Sequence, residues 1–265
     1  MSTYLALDDL RYVTYSHSDY LDVLQIHADH IKKKKKKSLL INHCELPETI
    51  SAYYDQIIFY DDALPYASRI YTGVSSIEED FFVLMHDNDI LISENSQMHM
   101  VATVFQHRKM HRLDLKHTSL RNANDNINLN YKYQLVRQRY FKNHPSIGTN
   151  YVYDVNPSIW DKKCLLEVMK EFHDLSYREI EQEDVQRFCS KKDFYQIHCP
   201  DQRNIKQAGH FLCPDIFVFL HITHGGKFLP TNGSSIYGQT YRDVEDRYKG
   251  IVNRYNLMEN ERGFG

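Results

Sequence analysis

Short apolar runs alternate with amphipathic stretches along the first hundred residues. RYVTYS at 11–16 is rich in β-branched and aromatic side chains and predicts a strand. Ser18 or Asp19 can cap a helix running through YLDVLQIHADHI, with Leu21, Leu24 and Ala28 on one side. SLLINH at 38–43 predicts a second strand, the residues after Pro47 a short helix, and DQIIFY at 55–60 a third strand. Residues 61–77 read as a loop entering a helix near Pro65. FFVLM at 81–85 is apolar throughout, as expected of a strand covered on both faces. MHMVATVF at 98–105 predicts another strand. This alternation argues for an α/β fold: an open, mostly parallel twisted sheet flanked by helices on both faces.

The second half is patterned less regularly. Residues 119–150 carry many Asn, Lys and Tyr and predict an exposed helix plus loops. TNYVYDVNPSIW at 149–160 predicts a strand, with a turn at Asn156-Pro157. DKKCLLEVMKEF at 161–172 has helical spacing at Cys164, Leu165, Val168 and Phe172, and a second helix is expected around 178–190. DIFVFLHI at 215–222 predicts a buried strand ending in the turn-like THGGKF, and the last 25 residues predict a closing helix. No repeat and no linker interrupts the pattern, so a single domain over 1–265 is expected.

Charge changes this picture in one place. The chain has 32 basic and 35 acidic residues, but six of the lysines form one run, Lys32 to Lys37. The 32 basic residues less these six leave 26 against 35, so the body is acidic and a general nucleic-acid surface is disfavoured. The run reads as a solvated helix end facing the negative pole of the helix dipole; peripheral contact with an anionic membrane is the other use for it. Nowhere do 18 apolar residues run together, and MSTYLALDDLRYV has no basic leader, so neither a membrane span nor a signal peptide is expected. Five cysteines (Cys44, Cys164, Cys189, Cys199, Cys213) without a CxxC pair suggest a reducing cytoplasm rather than a disulfide framework or a structural zinc site.

The chemistry concentrates in FFVLMHDNDILI, residues 81–92, where an apolar strand is followed at once by His86, Asp87, Asn88 and Asp89. Ligands of open α/β sheets bind beyond the carboxyl ends of the strands. In extended chain Asp87 and Asp89 point to one side, and two carboxylates there suit a hard divalent cation that bridges to phosphates. The competing reading is a simple Asp-Asn-Asp turn. His107-x-x-x-His111 lacks the glutamate of a HExxH zinc site. No GxGxxG, GxxxxGK[ST] or GxSxG motif is present, which removes the main support for dehydrogenase, P-loop and α/β-hydrolase readings.

The order of strands, the loop at Asp61-Asp62, the helix with Arg69 and then Asp87-Asn88-Asp89 resemble a GT-A glycosyltransferase, the nucleotide-sugar-binding fold marked by an Asp-x-Asp motif after a buried strand. The resemblance implies a nucleotide-sugar donor (UDP- or GDP-linked), a glycan or other hydroxyl acceptor, and Mn2+ or Mg2+ on the donor diphosphate. Residues up to about 110 would form the donor half and residues from about 111 the acceptor half. Asp89 would be a direct ligand, with Asp87 acting through water or on the ribose and Asn88 beside them. Thr14, Ser16 and His17 would cradle the nucleotide, with Asp61 and Arg69 on the donor side. His224-Gly225-Gly226-Lys227 resembles the C-terminal segment that supplies an imidazole ligand and a phosphate-binding lysine, with His221 as the competing ligand; its spacing departs from His-x-x-Gly-x-x-Lys-Pro-Trp. An inverting reaction needs a base, for which Glu181 stands first and Glu183 and Asp184 are alternatives. Trp160, the only tryptophan, would stack on an acceptor sugar. A nucleotidyltransferase, or a non-catalytic binder of the same fold, is the alternative.

Overall fold

The computed structural model describes residues 10–94, 98–117, 126–128, 134–144, 148–198, 217–229 and 242–264. Cys199, Cys213 and the first nine residues lie outside them. The chain opens with strand β1 (Arg11–Tyr15), helix α1 (Leu21–Ile31), β2 (Lys36–Asn42), the short α2 (Glu48–Ser51), β3 (Gln56–Tyr60), α3 (Tyr66–Ser75) and β4 (Phe81–His86). Then come β5 (Asp89–Glu94), α4 (Met98–His107), β6 (Arg112–His117), β7 (Asn126–Asn128), β8 (Gln134–Arg137), β9 (Phe141–His144) and β10 (Gly148–Asn150). The last part holds β11 (Ser158–Asp161), α5 (Lys162–Glu171), α6 (Glu183–Cys189), β12 (Phe194–His198), β13 (Phe217–His221), β14 (Thr223–His224), β15 (Lys227–Phe228) and α7 (Arg242–Arg254).

Nine strands form one sheet in the order β3-β2-β1-β4-β11-β6-β12-β8-β7. The pairs β3–β2, β2–β1, β1–β4 and β6–β12 are parallel, whereas β11 runs against both β4 and β6, and β8 against both β12 and β7. Only β11 and β8 are therefore reversed, and the expected mostly parallel sheet is what forms. Period-two alternation sorts the side chains onto two faces. Tyr12, Leu39, Ile41, Val83 and Met85 pack with Leu24 and Ala28 of α1 and Phe105 of α4. Val13, Leu40, Phe82 and Leu84 pack with Ile70 and Val74 of α3 and Leu165 and Val168 of α5. At Gly73 a Cβ would stand 2.4 Å from Leu40 Cδ2, so glycine is what lets α3 lie this close to the sheet.

A third apolar cluster lies beside the sheet. Val23 and Ile26 of α1 meet Ile90 of β5, Leu220 of β13 and Ile251 of α7. The strand expected near 215–222 is β13, paired antiparallel with β5 and not with the main sheet. The closing helix is α7.

Several local expectations are corrected. Residues 98–107 are helical: Val101, Ala102 and Phe105 are spaced for one helix face, and Phe105 packs edge-on against Phe81 at 5.6 Å. Within 119–150 the described residues are short strands, β7 to β10, in place of an exposed helix. The strand expected over 149–160 is broken: residues 149 and 150 end β10, and strand resumes only at β11. Before it, side chains replace a strand partner: Gln186 Oε1 accepts from the amides of Val152 and Tyr153 at 2.7 and 2.9 Å, and Glu181 Oε1 accepts from Val155 N at 3.1 Å. The helix expected over 178–190 begins only at Glu183, with turns before it. α1 is not capped by Ser18 or Asp19. A 3-10 turn, Ser18–Tyr20, precedes it, and His17 Nδ1 accepts from Asp19 N at 3.1 Å. Asp87 and Asn88 form a turn between β4 and β5, so the acidic pair does not lie in extended chain.

Candidate functional site

The strand order reverses direction beside β1: β2 and β3 build out on one side and β4 on the other. In such sheets this reversal opens a crevice at the strands' carboxyl ends. A cavity of about 750 Å3 lies there. Tyr15, Ser16 and His17 line it from the end of β1, and His86, Asp87 and Asn88 from the end of β4. Tyr177 and Arg178 form one flank, while His221 and the segment from Thr223 to Gly226 close the opposite part.

Ser16 and Asp87 tie the two strand ends together. Ser16 Oγ donates to Asp87 Oδ2 at 2.6 Å, and Asp87 N donates to Tyr15 O at 3.1 Å. Burial pushes the Asp87 carboxyl up to about 7, against the opposing pull of the Ser16 hydrogen bond. Asp89 begins β5, where its Oδ1 meets His221 Nδ1 at 3.1 Å. The same ring's Nε2 lies 3.3 Å from Asn88 Nδ2, and Asn88 O accepts from Ile222 N at 3.1 Å. Asn88 Oδ1 is buried with no hydrogen-bond partner among the described residues. The Asp-Asn-Asp segment is thus a turn, and also the junction of both strand ends with β13.

An aromatic wall stands behind the carboxylates. Tyr15 stacks on Tyr60 at 5.3 Å, and Tyr66 lies edge-on to both Tyr15 and Tyr177. Tyr66 OH is 3.0 Å from His86 Nε2, and burial lowers the His86 imidazole to about 4, so this ring is neutral near pH 7.

The sequence-level candidates separate on this geometry. Ser16, His17, Asp87, Asn88 and His224 line the cavity. Thr14 faces the other side of the sheet, where its Oγ1 is 2.9 Å from Nε2 of the buried His27. Asp61 Oδ1 accepts from Ala63 N at 2.9 Å within its own loop. Arg69 pairs with Asp62 at 2.8 Å and donates from Nε to Leu64 O at 2.7 Å, which anchors the β3–α3 loop. Lys227 is exposed on the hairpin outside the cavity lining. Glu181 lies one turn beyond Arg178, with Oε1 on Val155 N. Glu183 pairs with Arg187 at 2.6 Å and with Lys142. Trp160 is only 2% exposed, so it has no face to offer an acceptor; Phe194 packs edge-on to it at 5.3 Å and the Arg112 guanidinium lies 5.2 Å from its ring.

Arg178 and the aromatic wall were not singled out from the sequence. The one usable signal was the adjacency of Tyr177 and Arg178 just before the acidic run. In the donor set a hard cation would find two carboxylates, a buried amide oxygen without a partner and an imidazole, which fits such an ion in kind. The imidazole standing with Asp89 is His221, the competing ligand, and not His224. Among the described residues no three His, Cys, Asp or Glu side chains converge as a ready ligand cluster. Among the same residues no helix is long and apolar enough to cross a membrane.

No protein-family model matches this chain, and no curated protein matches it. Solved structures share its outline at low identity. UDP-glucose pyrophosphorylase complexed with UDP-glucose is 10% identical, with a TM-score of 0.43 over 72% of this chain and 89% of that one. A CMP:2-keto-3-deoxy-manno-octonic acid synthetase complexed with CTP is 8% identical, with a TM-score of 0.41 over 71% and 88%. A Staphylococcus aureus TarS fragment in complex with UDP is 10% identical, with a TM-score of 0.40 over 71% and 60%. Likeness at this level describes outline only.

Proposed function

We propose that this chain is a glycosyltransferase that binds a nucleotide-diphosphate sugar in the β1–β4 cleft and passes the sugar to a hydroxyl acceptor. The observation that carries the reading is the convergence of Ser16, Asp87 and Asn88 on one cavity at the reversal of strand order, with Asp89, outside the lining, held by the cavity residue His221. That is where an open α/β sheet holds a nucleotide. A nucleotidyltransferase ordinarily carries a Gly-rich, Lys- or Arg-bearing loop after its first strand. Residues 16–20 here read Ser-His-Ser-Asp-Tyr and hold neither, which favours the transferase.

In this reading Asp87, Asp89 and Asn88 hold Mn2+ or Mg2+ with His221 beside them. When bound, the ion neutralises the charge that grows on the leaving diphosphate. Ser16 keeps Asp87 aimed into the cleft. Arg178 takes the anionic donor by a forked contact, the task the sequence suggested for Arg69. Tyr15 and Tyr177 offer flat apolar faces for a base or a sugar. Glu181 is the acceptor-side carboxylate, carried on the turn that presents Tyr177 and Arg178. The halves before and after about residue 110 then serve donor and acceptor, except that His221 and the 223–226 segment return to the donor side.

Calorimetry of UDP and GDP with and without Mn2+ tests the proposal. Asp89→Ala should weaken metal-dependent binding by about 10- to 100-fold. Unchanged affinity in that variant would remove the metal site. Donor-sugar hydrolysis, scored across a panel of UDP- and GDP-sugars, separates a transferase from a binder: binding without turnover on any donor favours the binder.

A further inference from the structure

Arg262 joins parts of the chain 240 residues apart. Its guanidinium makes a forked contact with Asp22 on α1, from Nε at 3.0 Å and from an η nitrogen at 2.7 Å. It also donates to Gly226 O at 3.0 Å and to Asp19 O at 2.7 Å. The guanidinium carbon lies 4.4 Å from the centre of the Tyr20 ring. Four bonds and a ring contact engage nearly the whole five-donor fork, far more than an ordinary surface arginine makes.

What Arg262 holds is part of the cleft. Tyr20 and Gly226 both line the cavity, as do His224 at the end of β14 and Gly225 in the turn after it. β14 and β15 are two residues each, too short to hold a shape alone. At the hairpin tip Gly225 and Gly226 both have positive φ, +57° and +81°, where a side chain would be strained. The hairpin is fixed from outside at two places. At its start Ile222 N donates to Asn88 O at 3.1 Å. At its end Phe228 N donates to Gly263 O at 3.0 Å, and Phe264 packs on Phe228 at 6.0 Å. The tip that faces the cavity depends on Arg262.

We propose that Arg262 is a positioning residue for the cleft: together with Asp22 it holds the 223–228 hairpin, and with it His224, against the nucleotide site. The consequence for ligand affinity rests on the function proposed above; the consequence for the hairpin does not. A lysine cannot make the fork, so Arg262→Lys should behave like Arg262→Ala.

The test uses the full chain as wild type, Arg262→Ala, Arg262→Lys and Asp22→Asn. Hydrogen exchange is followed at the amides of 222–229 and of β1 to β4, and UDP with Mn2+ is titrated by calorimetry. Exchange at 222–229 should rise by about 10-fold or more in the Arg262 variants with β1 to β4 unchanged, and UDP affinity should fall by about 10-fold. Asp22→Asn should move both readouts in the same direction by less, and it answers the question alone if the Arg262 variants do not fold. Unchanged hairpin exchange, or exchange raised equally throughout the sheet, overturns the proposal. A wild type that binds neither UDP nor GDP ends the nucleotide reading, while the exchange data still decide the role of Arg262.

Discussion

Two buried ionisable groups are treated in opposite ways. Arg112, at the start of β6, is fully buried. Its guanidinium meets Asp154 Oδ1 at 2.5 Å and donates to Ser158 Oγ at 3.1 and 2.8 Å and to Val152 O at 2.8 Å. Asp114 Oδ2 stands 3.7 Å away, and the rings of Tyr153, Trp160 and Phe194 surround it. Asp87, at the end of β4, is also buried, but among the described residues a serine hydroxyl is its one side-chain hydrogen bond, and the neighbouring Asn88 Oδ1 has no partner. A buried ion supplied with counter-charge and hydrogen bonds is a structural tie. A buried carboxylate left with its affinity for protons raised, on the wall of a cavity, is the arrangement that binding and catalysis use.

Removing Arg112 is the most forceful way to break this contrast. Arg112→Met should cost about 3–5 kcal/mol in urea unfolding, because it removes the buried cation that Asp154, Ser158 and Val152 O are arranged around. A cost below about 1 kcal/mol would show that the hub is not a structural tie. The Asp87 side should instead respond to pH. Its carboxyl lies near 7 in the fold against 3.8 ordinarily, so between those values the folded protein holds a proton that the unfolded chain has released. This contribution is complete below pH 3.8 and is lost as pH rises through 7. Stability without added metal should fall by about 2–3 kcal/mol from pH 5 to pH 8, read as urea midpoints, and Asp87→Asn should flatten that slope. An equal slope in the variant would assign the titration elsewhere.

Smaller effects sharpen the picture inside the cleft. Arg178→Ala should weaken UDP binding by about 10-fold, whereas Arg69→Ala should act mainly on stability through the β3–α3 loop. Equal loss of affinity in both would return Arg69 to the donor site. Lys227→Ala should change affinity by less than about 2-fold at physiological salt, where an exposed charge outside the cavity is screened.

The strand–helix alternation of the first ninety residues was legible because each element obeys one period: Val13 and Leu40 alternate with Tyr12 and Leu39, and Ile70 and Val74 repeat at helical spacing. The placement of Asp87 and Ser16 on the cavity was legible because both stand at strand ends, where such sheets open a crevice. What escaped was set by contacts distant in sequence. Residues 151–157 look like strand, yet their amides are met by Gln186 and Glu181, which no local pattern announces. Trp160 looked like a stacking platform because a lone tryptophan carries no sign of the Arg112 hub that encloses it. Arg69 and Arg178 look alike in the sequence, yet Asp62 and the Leu64 carbonyl hold the first in the β3–α3 loop while the second lines the cavity.

β11 enters the sheet between β4 and β6 only after some seventy further residues have been made. Until it arrives, Phe82 and Leu84 on one side and Leu113 on the other belong to strands with open backbone edges, the kind of surface along which nascent chains stick to one another. The strand that joins the two halves is also the one whose delay exposes them, so maturation of this protein should be slow and sensitive to crowding by its own copies.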